Sequence, residues 1–270
     1  TAKAEEGTWQ GKTYLKADGK PATKQWLFDQ THQKWFYLKE DGQRAENGWL
    51  TVAGKDYYFD ANGILATNTW VNQYYVNANG TKAKDQWLFD QEGQSWLYLK
   101  ADGQRAKNEW ISQGQEKYYF KEDGKMAKDE WITQGKDQYY VNSQGKILKN
   151  TWLGSHYLSD KGNKVKQSWI YDANYSSWFY LKADGNYAEN GWQTVEGKDY
   201  YFKRGGYLAT NTWLGKSYVT SSGHKAKTSW IFDKNYESWF YLNAEGDYVE
   251  KGWQTIDGKD YHFKSGGYLS

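Results

Sequence analysis

The sequence predicts an all-β fold, a solenoid of stacked β-hairpins, and three observations carry that expectation. Trp recurs at positions 9, 26, 49, 70, 87, 110, 131, 152, 169, 192, 213, 230 and 253, with intervals of 17, 23 and 21 residues in a nearly regular order. A Gly stands seven residues before each of the later twelve, from Gly19 to Gly246. The third observation is the pairing of a mean hydropathy of −1.04 with 17 Trp, 25 Tyr and 10 Phe, 19% of the chain. Disordered chains are poor in aromatic residues, so this one folds. With little Leu, Ile and Val, it builds many small aromatic cores rather than one large one. A fixed period of this length is the mark of a repeat architecture.

Taken in order, each unit reads as a short strand, a turn, a second aromatic strand and a Gly-bearing turn. The 21-residue units, such as WLTVAGKDYYFDANG and WQTVEGKDYYFKRGG, place Gly-Lys or Gly-Gln between two β-forming runs, a hairpin signal. The 17-residue units, such as WVNQYYVNANG and WLGSHYLSDKG, predict a shorter hairpin, and the 23-residue units, such as WLFDQTHQKWFYLKEDG, a longer loop. D-G, N-G and G-G pairs after the second strand supply the positive φ of a tight turn. No helical periodicity is present. A lone two-stranded hairpin is marginal in water, whereas stacked hairpins bury their aromatics against neighbours and add their stabilities along the series. Residues 1–270 are therefore expected to form a single solenoid of about thirteen hairpin units. The last is read as incomplete, because Gly267 places the next Trp at 274.

Composition removes several classes of function. A net charge of +2 with no basic stripe gives no reason to expect nucleic acid as a partner. No apolar run is long enough to span a bilayer as a helix. With no Cys there is neither a disulfide framework nor a cysteine-bound metal. The opening TAKAEEG is compatible with a mature secreted protein or an excised fragment. Catalysis needs a unique nucleophile, base or carboxylate pair in a pocket, but the acids recur at equivalent turns such as KADG and KEDG, which is turn chemistry. His32, His156, His224 and His262 fall in different units without metal-ligand spacing, and DANG and KEDG fall short of a calcium loop. The expectation is a non-enzyme with no metal and no cofactor. The lysines read as a solvated exterior.

The aromatic strands hold the remaining information. In WFYL at 35–38, alternation puts Trp35 and Tyr37 on one face and Phe36 and Leu38 on the other. Phe36, Phe179, Phe240 and the Leu positions read as core. Trp and Tyr tolerate a half-wet surface, and several such rings meeting in a groove recognise a quaternary ammonium group, each contact contributing roughly 0.5–2 kcal/mol. Flat sugar faces also stack on Trp, so a glucan-binding or toxin-type carbohydrate-binding repeat stays open as the alternative.

The pattern W…W-F/Y-Y-L-x-x-x-G-x-x-A-x-x-x-W, together with stretches such as GKDYYFKRGGYLATNTW, resembles the choline-binding repeats of cell-wall proteins from streptococci and their phages, over essentially the whole chain. The resemblance implies a module that binds choline or phosphocholine on the teichoic and lipoteichoic acids of the bacterial wall. It implies a secreted protein held non-covalently at the cell surface, either standing alone or targeting a peptidoglycan hydrolase. The family's sites use aromatics from consecutive hairpins, with a cage Trp opening the second strand. Only the 23-residue units keep that Trp, as Trp35, Trp96, Trp178 and Trp239. Four cages are thereby expected: Trp26, Trp35, Tyr37 and Trp49; Trp87, Trp96, Tyr98 and Trp110; Trp169, Trp178, Tyr180 and Trp192; Trp230, Trp239, Tyr241 and Trp253. The 21-residue units depart from the pattern with Asp56, Lys117, Gln138, Asp199 and Asp260 at this position. Two residues past the repeat Gly, where the family carries Met, the 21-residue units have Leu65, Met126, Ile147, Leu208 and Leu269. The 23-residue units have Arg44, Arg105, Tyr187 and Tyr248 there, and an Arg beside a cation is expected to weaken the first two cages.

Overall fold

The three unit lengths become three hairpins. In the computed structural model, which describes residues 7–270, each Trp of the period opens an antiparallel two-stranded sheet, thirteen in all among the described residues. The Trp9 hairpin pairs Thr8–Gln10 with Thr13–Leu15. The Trp26 hairpin pairs Gln25–Asp29 with Lys34–Leu38, and the Trp49 hairpin pairs Gly48–Val52 with Lys55–Phe59. A 17-residue unit is therefore two residues shorter in each strand than a 21-residue unit, with the same two-residue turn. A 23-residue unit keeps the longer strands and adds two residues to the loop. Ala53 and Gly54 of the Trp49 turn have φ of 52° and 79°, the left-handed pair that matches strand twist.

Two compact units result. One comprises residues up to Glu130 together with Val141–Ile147, and the other Trp131–Tyr140 together with Leu148–Ser270. Inside each, hairpins stack in chain order through the same bonds. The N–H three residues past the repeat Gly donates to the second-strand Tyr of its own hairpin, as Ala45 N to Tyr37 O at 2.8 Å. The N–H two residues past that Gly donates to the preceding hairpin. Lys82 N reaches Asp56 O at 2.8 Å and Leu65 N reaches Trp35 O at 3.0 Å.

That second bond fixes which faces meet. In the Trp26 hairpin the cross-strand pairs Trp26–Tyr37 and Phe28–Trp35 share one face, and Leu27 pairs Phe36 on the other. The first face looks to the following hairpin and the second to the preceding one, where Leu27, Phe36 and Leu38 are buried with Tyr14 and Ala22. The last residue of the second strand is fully buried from Leu38 through Phe59 and Val76 to Phe263. Burying side chains of this kind contributes about 1.5–3 kcal/mol each. These are the many small cores expected from the composition, and Phe179 and Phe240 join them at 3% exposure.

The repeat Gly has a further role. At Gly80, φ is 83° and a Cβ would lie 2.7 Å from the Leu65 side chain. Other turns from Gly63 onward close in this way over the side chain two residues past the previous turn's Gly, as at Gly63 over Arg44 and Gly145 over Met126, whereas Gly19 and Gly42 have room for a β-carbon.

Candidate binding sites between hairpins

Within each compact unit, the junctions between consecutive hairpins share one plan: a first-strand Trp from the earlier hairpin, a second-strand residue pointing back from the later one, and the side chain two past the later hairpin's Gly. What fills this plan divides the junctions into three kinds.

Where a 23-residue unit precedes a 21-residue unit, the second Trp makes an open corner. Trp26 and Trp35 stand 6.5 Å apart at 84°, Trp87 and Trp96 6.1 Å at 87°, Trp169 and Trp178 6.3 Å at 86°, and Trp230 and Trp239 6.4 Å at 88°. The next hairpin contributes Tyr57, Tyr118, Tyr200 or Tyr261, each 4.7–5.0 Å from the first Trp. Trp35, Trp96, Trp178 and Trp239 remain 43–47% exposed. The Trp26 corner is a cavity of about 350 Å³ lined by Trp26, Trp35, Tyr57, Leu65, Thr67 and the turn residues Ala78 and Asn79. The Trp87 corner is a cavity of about 690 Å³ in which Met126 takes the place of Leu65, with Lys128 also on its lining. Each of these cavities draws on three consecutive hairpins.

The expected quartets are therefore distributed between junctions. The first two Trp of each quartet come together in all four. Tyr37, Tyr98, Tyr180 and Tyr241 sit cross-strand on the first Trp at 5.1–5.6 Å, on its core side, and Tyr37 and Tyr98 line neither cavity. Trp49 and Trp192 stand one junction further on, under lysine side chains. Trp110 packs on Tyr119 at 5.1 Å. Trp253 packs on His262 at 5.1 Å and is 71% exposed. Phe28, Phe89, Tyr171 and Phe232 extend the second Trp outward at 5.0–5.3 Å. The sequence carried the signal for the back-facing Tyr: if Trp49 and Tyr58 share a face, Tyr57 and Phe59 must share the other.

Where a 21-residue unit precedes a 17-residue unit, lysine fills the corner. Lys82 Nζ lies 4.6 Å from the Trp49 ring and 4.0 Å from the Tyr74 ring, and those rings are 5.7 Å apart at 83°. Lys164 lies 4.9 Å over Trp131 and Lys225 5.0 Å over Trp192. In two of these the second Trp is replaced by a carboxylate. Asp56 lies 3.9 Å from Lys82 and 2.8 Å from Lys84, and hydrogen bonds from Lys84 and Thr51 hold its pKa below the ordinary carboxylate value. Asp199 is lowered in the same way by Thr194 and Lys227, with help from the charge of Lys225. Burial lowers the pKa of Lys164, with repulsion from Lys166 adding to it.

Where a 17-residue unit precedes a 23-residue unit, the Trp ring is engaged by the following hairpin, and beside Trp213 a cavity of about 220 Å³ remains, lined by Tyr236, Phe240, Tyr248 and Tyr268. The indole N–H of Trp152 donates to Asp172 at 2.8 Å and that of Trp213 to Asp233 at 2.7 Å, while Trp9 reaches Asp29 at 3.3 Å. The same aspartates cap their own loops, as in Asn174 N to Asp172 at 2.9 Å. Tyr187 and Tyr248 pack beside Trp152 and Trp213 at 6.0 and 5.9 Å. Arg105 stacks on Trp70 at 4.6 Å, and Arg44 pairs with Glu46 at 3.0 Å. Both arginines thus serve the junction upstream of the first two open corners.

Repeats of two known families are recognised in the chain. The choline-binding repeat family matches residues 44–81 and 115–147, and a cell wall binding repeat family matches residues 190–208 and 251–269. A Streptococcus pneumoniae protein described as an endo-beta-N-acetylglucosaminidase is 47% identical over 260 residues, 96% of this chain and 30% of that protein. The chain thus spans about a third of the length of that relative. The choline-binding domain of CbpL from Streptococcus pneumoniae is 37% identical, over 76% of this chain and 98% of that one, with a TM-score of 0.47. Choline binding protein F from the same organism shares the fold, with a TM-score of 0.54 at 20% identity over 92% of this chain and all of that one.

Proposed function

The chain belongs to the choline-binding repeat proteins, and on that premise we propose that it is a non-catalytic wall-binding module whose four open corners each hold a choline group. One observation carries the reading: paired tryptophans at right angles, closed behind by a tyrosine and an aliphatic side chain, repeated four times. A trimethylammonium group cannot donate hydrogen bonds and is weakly hydrated. Ring faces and a Leu or Met therefore suit it better than polar partners, with each ring contributing roughly 0.5–2 kcal/mol. Lys128, on the lining of the Trp87 cavity, offers a cation to a phosphate esterified to the choline. This is the arrangement that phosphocholine on teichoic or lipoteichoic acid would meet.

Several weak sites on one chain serve a polymer that repeats the same group. Linkage of this kind raises overall binding by roughly 10²–10⁴ over a single site. The module would then hold its protein non-covalently at the outer face of a bacterial wall. The match to one stretch of a much longer glucosaminidase supports a role in targeting such an enzyme to its substrate.

Calorimetric titration with choline tests the reading, and the expected stoichiometry is four. Free choline should also elute the protein from a quaternary-amine resin. If dextran elutes it and choline does not, the aromatic corners read sugars and the proposal fails.

A further inference from the structure

At three junctions the position that would hold a ligand's cation is taken by the protein itself. Lys82, Lys164 and Lys225 stand two residues past Gly80, Gly162 and Gly223, the position that carries Leu65 and Met126 in the open corners. Their backbone N–H groups make the same bond to the preceding hairpin, at 2.7–2.8 Å to Asp56, Gln138 and Asp199. The side chain is thereby aimed into the corner before its own torsions are set. A lysine stem laid on an apolar ring, with its head in water, is the ordinary way such a residue covers a surface. The Lys82 ammonium does otherwise. It lies 4.0–4.6 Å from two ring centroids set at right angles, beside a carboxylate, with only 15% of the side chain exposed.

We propose that these lysines are internal ligands, so that the junctions from 21-residue to 17-residue units are organic-cation sites occupied by the chain's own ammonium. Removing the lysine opens the Trp49 site to a quaternary ammonium ion. The identification of choline as that ion rests on the function proposed above; the occupancy by lysine does not. A tethered ammonium pinned through its own backbone is present at an effective concentration that a weakly bound free ligand cannot match, so these corners stay closed at any ordinary choline concentration. The Trp49 corner is the most complete of the three. Without Lys82 it retains Trp49, Tyr74 and the Asp56 carboxylate, whose pairing with Lys84 at 2.8 Å keeps it ionised and in place.

The test uses the full chain with Lys82→Met, which restores the residue type found at Met126, and Lys82→Arg, which keeps a cation in place. Titration with choline should give five sites for Lys82→Met and four for both Lys82→Arg and the parent protein. A folded Lys82→Met variant that still binds four overturns the proposal. A second measurement needs no variant: acetylation of the native protein, followed residue by residue by mass spectrometry. Lys82, Lys164 and Lys225 should react at least about tenfold more slowly than the exposed strand residues Lys55 and Lys198, an effect of roughly 1.4 kcal/mol on access to the free amine. Equal rates overturn internal occupancy whatever choline does. Slow rates in a protein that binds no choline keep the occupancy and discard the ligand.

Discussion

The Trp26 corner and the Trp49 corner differ at two side chains, and those two decide what each can do. Both have a first-strand Trp from one hairpin and a back-facing Tyr from the next, Tyr57 in one and Tyr74 in the other, at 4.7 and 5.7 Å. In the Trp26 corner the remaining places hold Trp35 and Leu65, leaving a cavity of about 350 Å³. In the Trp49 corner they hold Asp56 and Lys82, and the ammonium sits against both rings. A repeat protein need not alter its backbone to alternate open and occupied sites. The Trp49 and Trp70 hairpins are seated by the same backbone bond, Leu65 N to Trp35 O and Lys82 N to Asp56 O, so exchanging a Trp–Leu pair for an Asp–Lys pair changes the site and leaves the stack. Stability can then come from all the junctions while binding comes from some of them.

The sharpest way to break the comparison is to remove the walls that only the open corners have. Substituting Trp35, Trp96, Trp178 and Trp239 together by Ala should weaken choline binding at all four sites. Each lost wall is worth roughly 0.5–2 kcal/mol, or about 2–30-fold in affinity at its own site, and each site keeps a single Trp. These four rings are 43–47% exposed, so the thermal transition should remain cooperative. Retention of the parent affinity by the folded variant would place the ligand elsewhere.

A smaller and more selective effect should follow from Leu65→Lys, which writes the occupied junction into the open one. The backbone bond from residue 65 to Trp35 O at 3.0 Å would direct the new ammonium between Trp26 and Tyr57. Calorimetry should then count three choline sites instead of four, with the affinity of the remaining three unchanged. An unchanged count would mean that the position does not control access.

Substituting Trp49 separates the two kinds of junction from the other side. Trp49→Ala should leave the choline count at four, because its ring serves Lys82. The stability cost should be modest, since Trp49 is 36% exposed. Trp26→Ala should remove one site and cost about 3–5 kcal/mol, in line with large aromatic truncations, because Trp26 packs on Tyr37, Tyr57 and Phe59. Denaturant unfolding and calorimetry on the same two variants measure both quantities.

How far this was legible in the sequence depends on which interactions are local. The Trp and Gly period marks hairpins that form between neighbouring residues, and unit length alone separates strand shortening from loop lengthening. The second Trp of the 23-residue unit is visible for the same reason, since Trp26 and Trp35 belong to one hairpin. The partners from the next hairpin are harder to see. Tyr57 rather than Trp49 meets Trp26 because the two faces of a hairpin look in opposite directions along the stack, and alternation within one strand does not say which face looks back. The lysines were hidden by their chemistry. Lys82, Lys164 and Lys225 share the offset from Gly that marks Leu65 and Met126, yet in so polar a chain they read as solvated surface. The seating bond and the ammonium-to-ring distances show that their side chains enter the corner.

The smallest expected effect concerns the carboxylates that replace the second Trp. Asp56 and Asp199 have pKa values held below the ordinary one by hydrogen bonds from Lys84 and Thr51, and from Thr194 and Lys227. A carboxylate whose folded pKa is depressed stabilises the fold above its unfolded value of about 3.9, and that contribution disappears as pH falls through the lower, folded value. The double variant Asp56→Asn, Asp199→Asn should therefore melt below the parent protein at about pH 7 and converge with it at about pH 2. No comparable pair stands in the open corners, where the same strand position is tryptophan. Replacing Trp35 and Trp178 by Phe should accordingly shift the melting temperature by the same amount at both pH values. If the Asn variant loses as much at about pH 2 as at about pH 7, the carboxylates act only by filling space, and the electrostatic contrast between the two kinds of junction is lost.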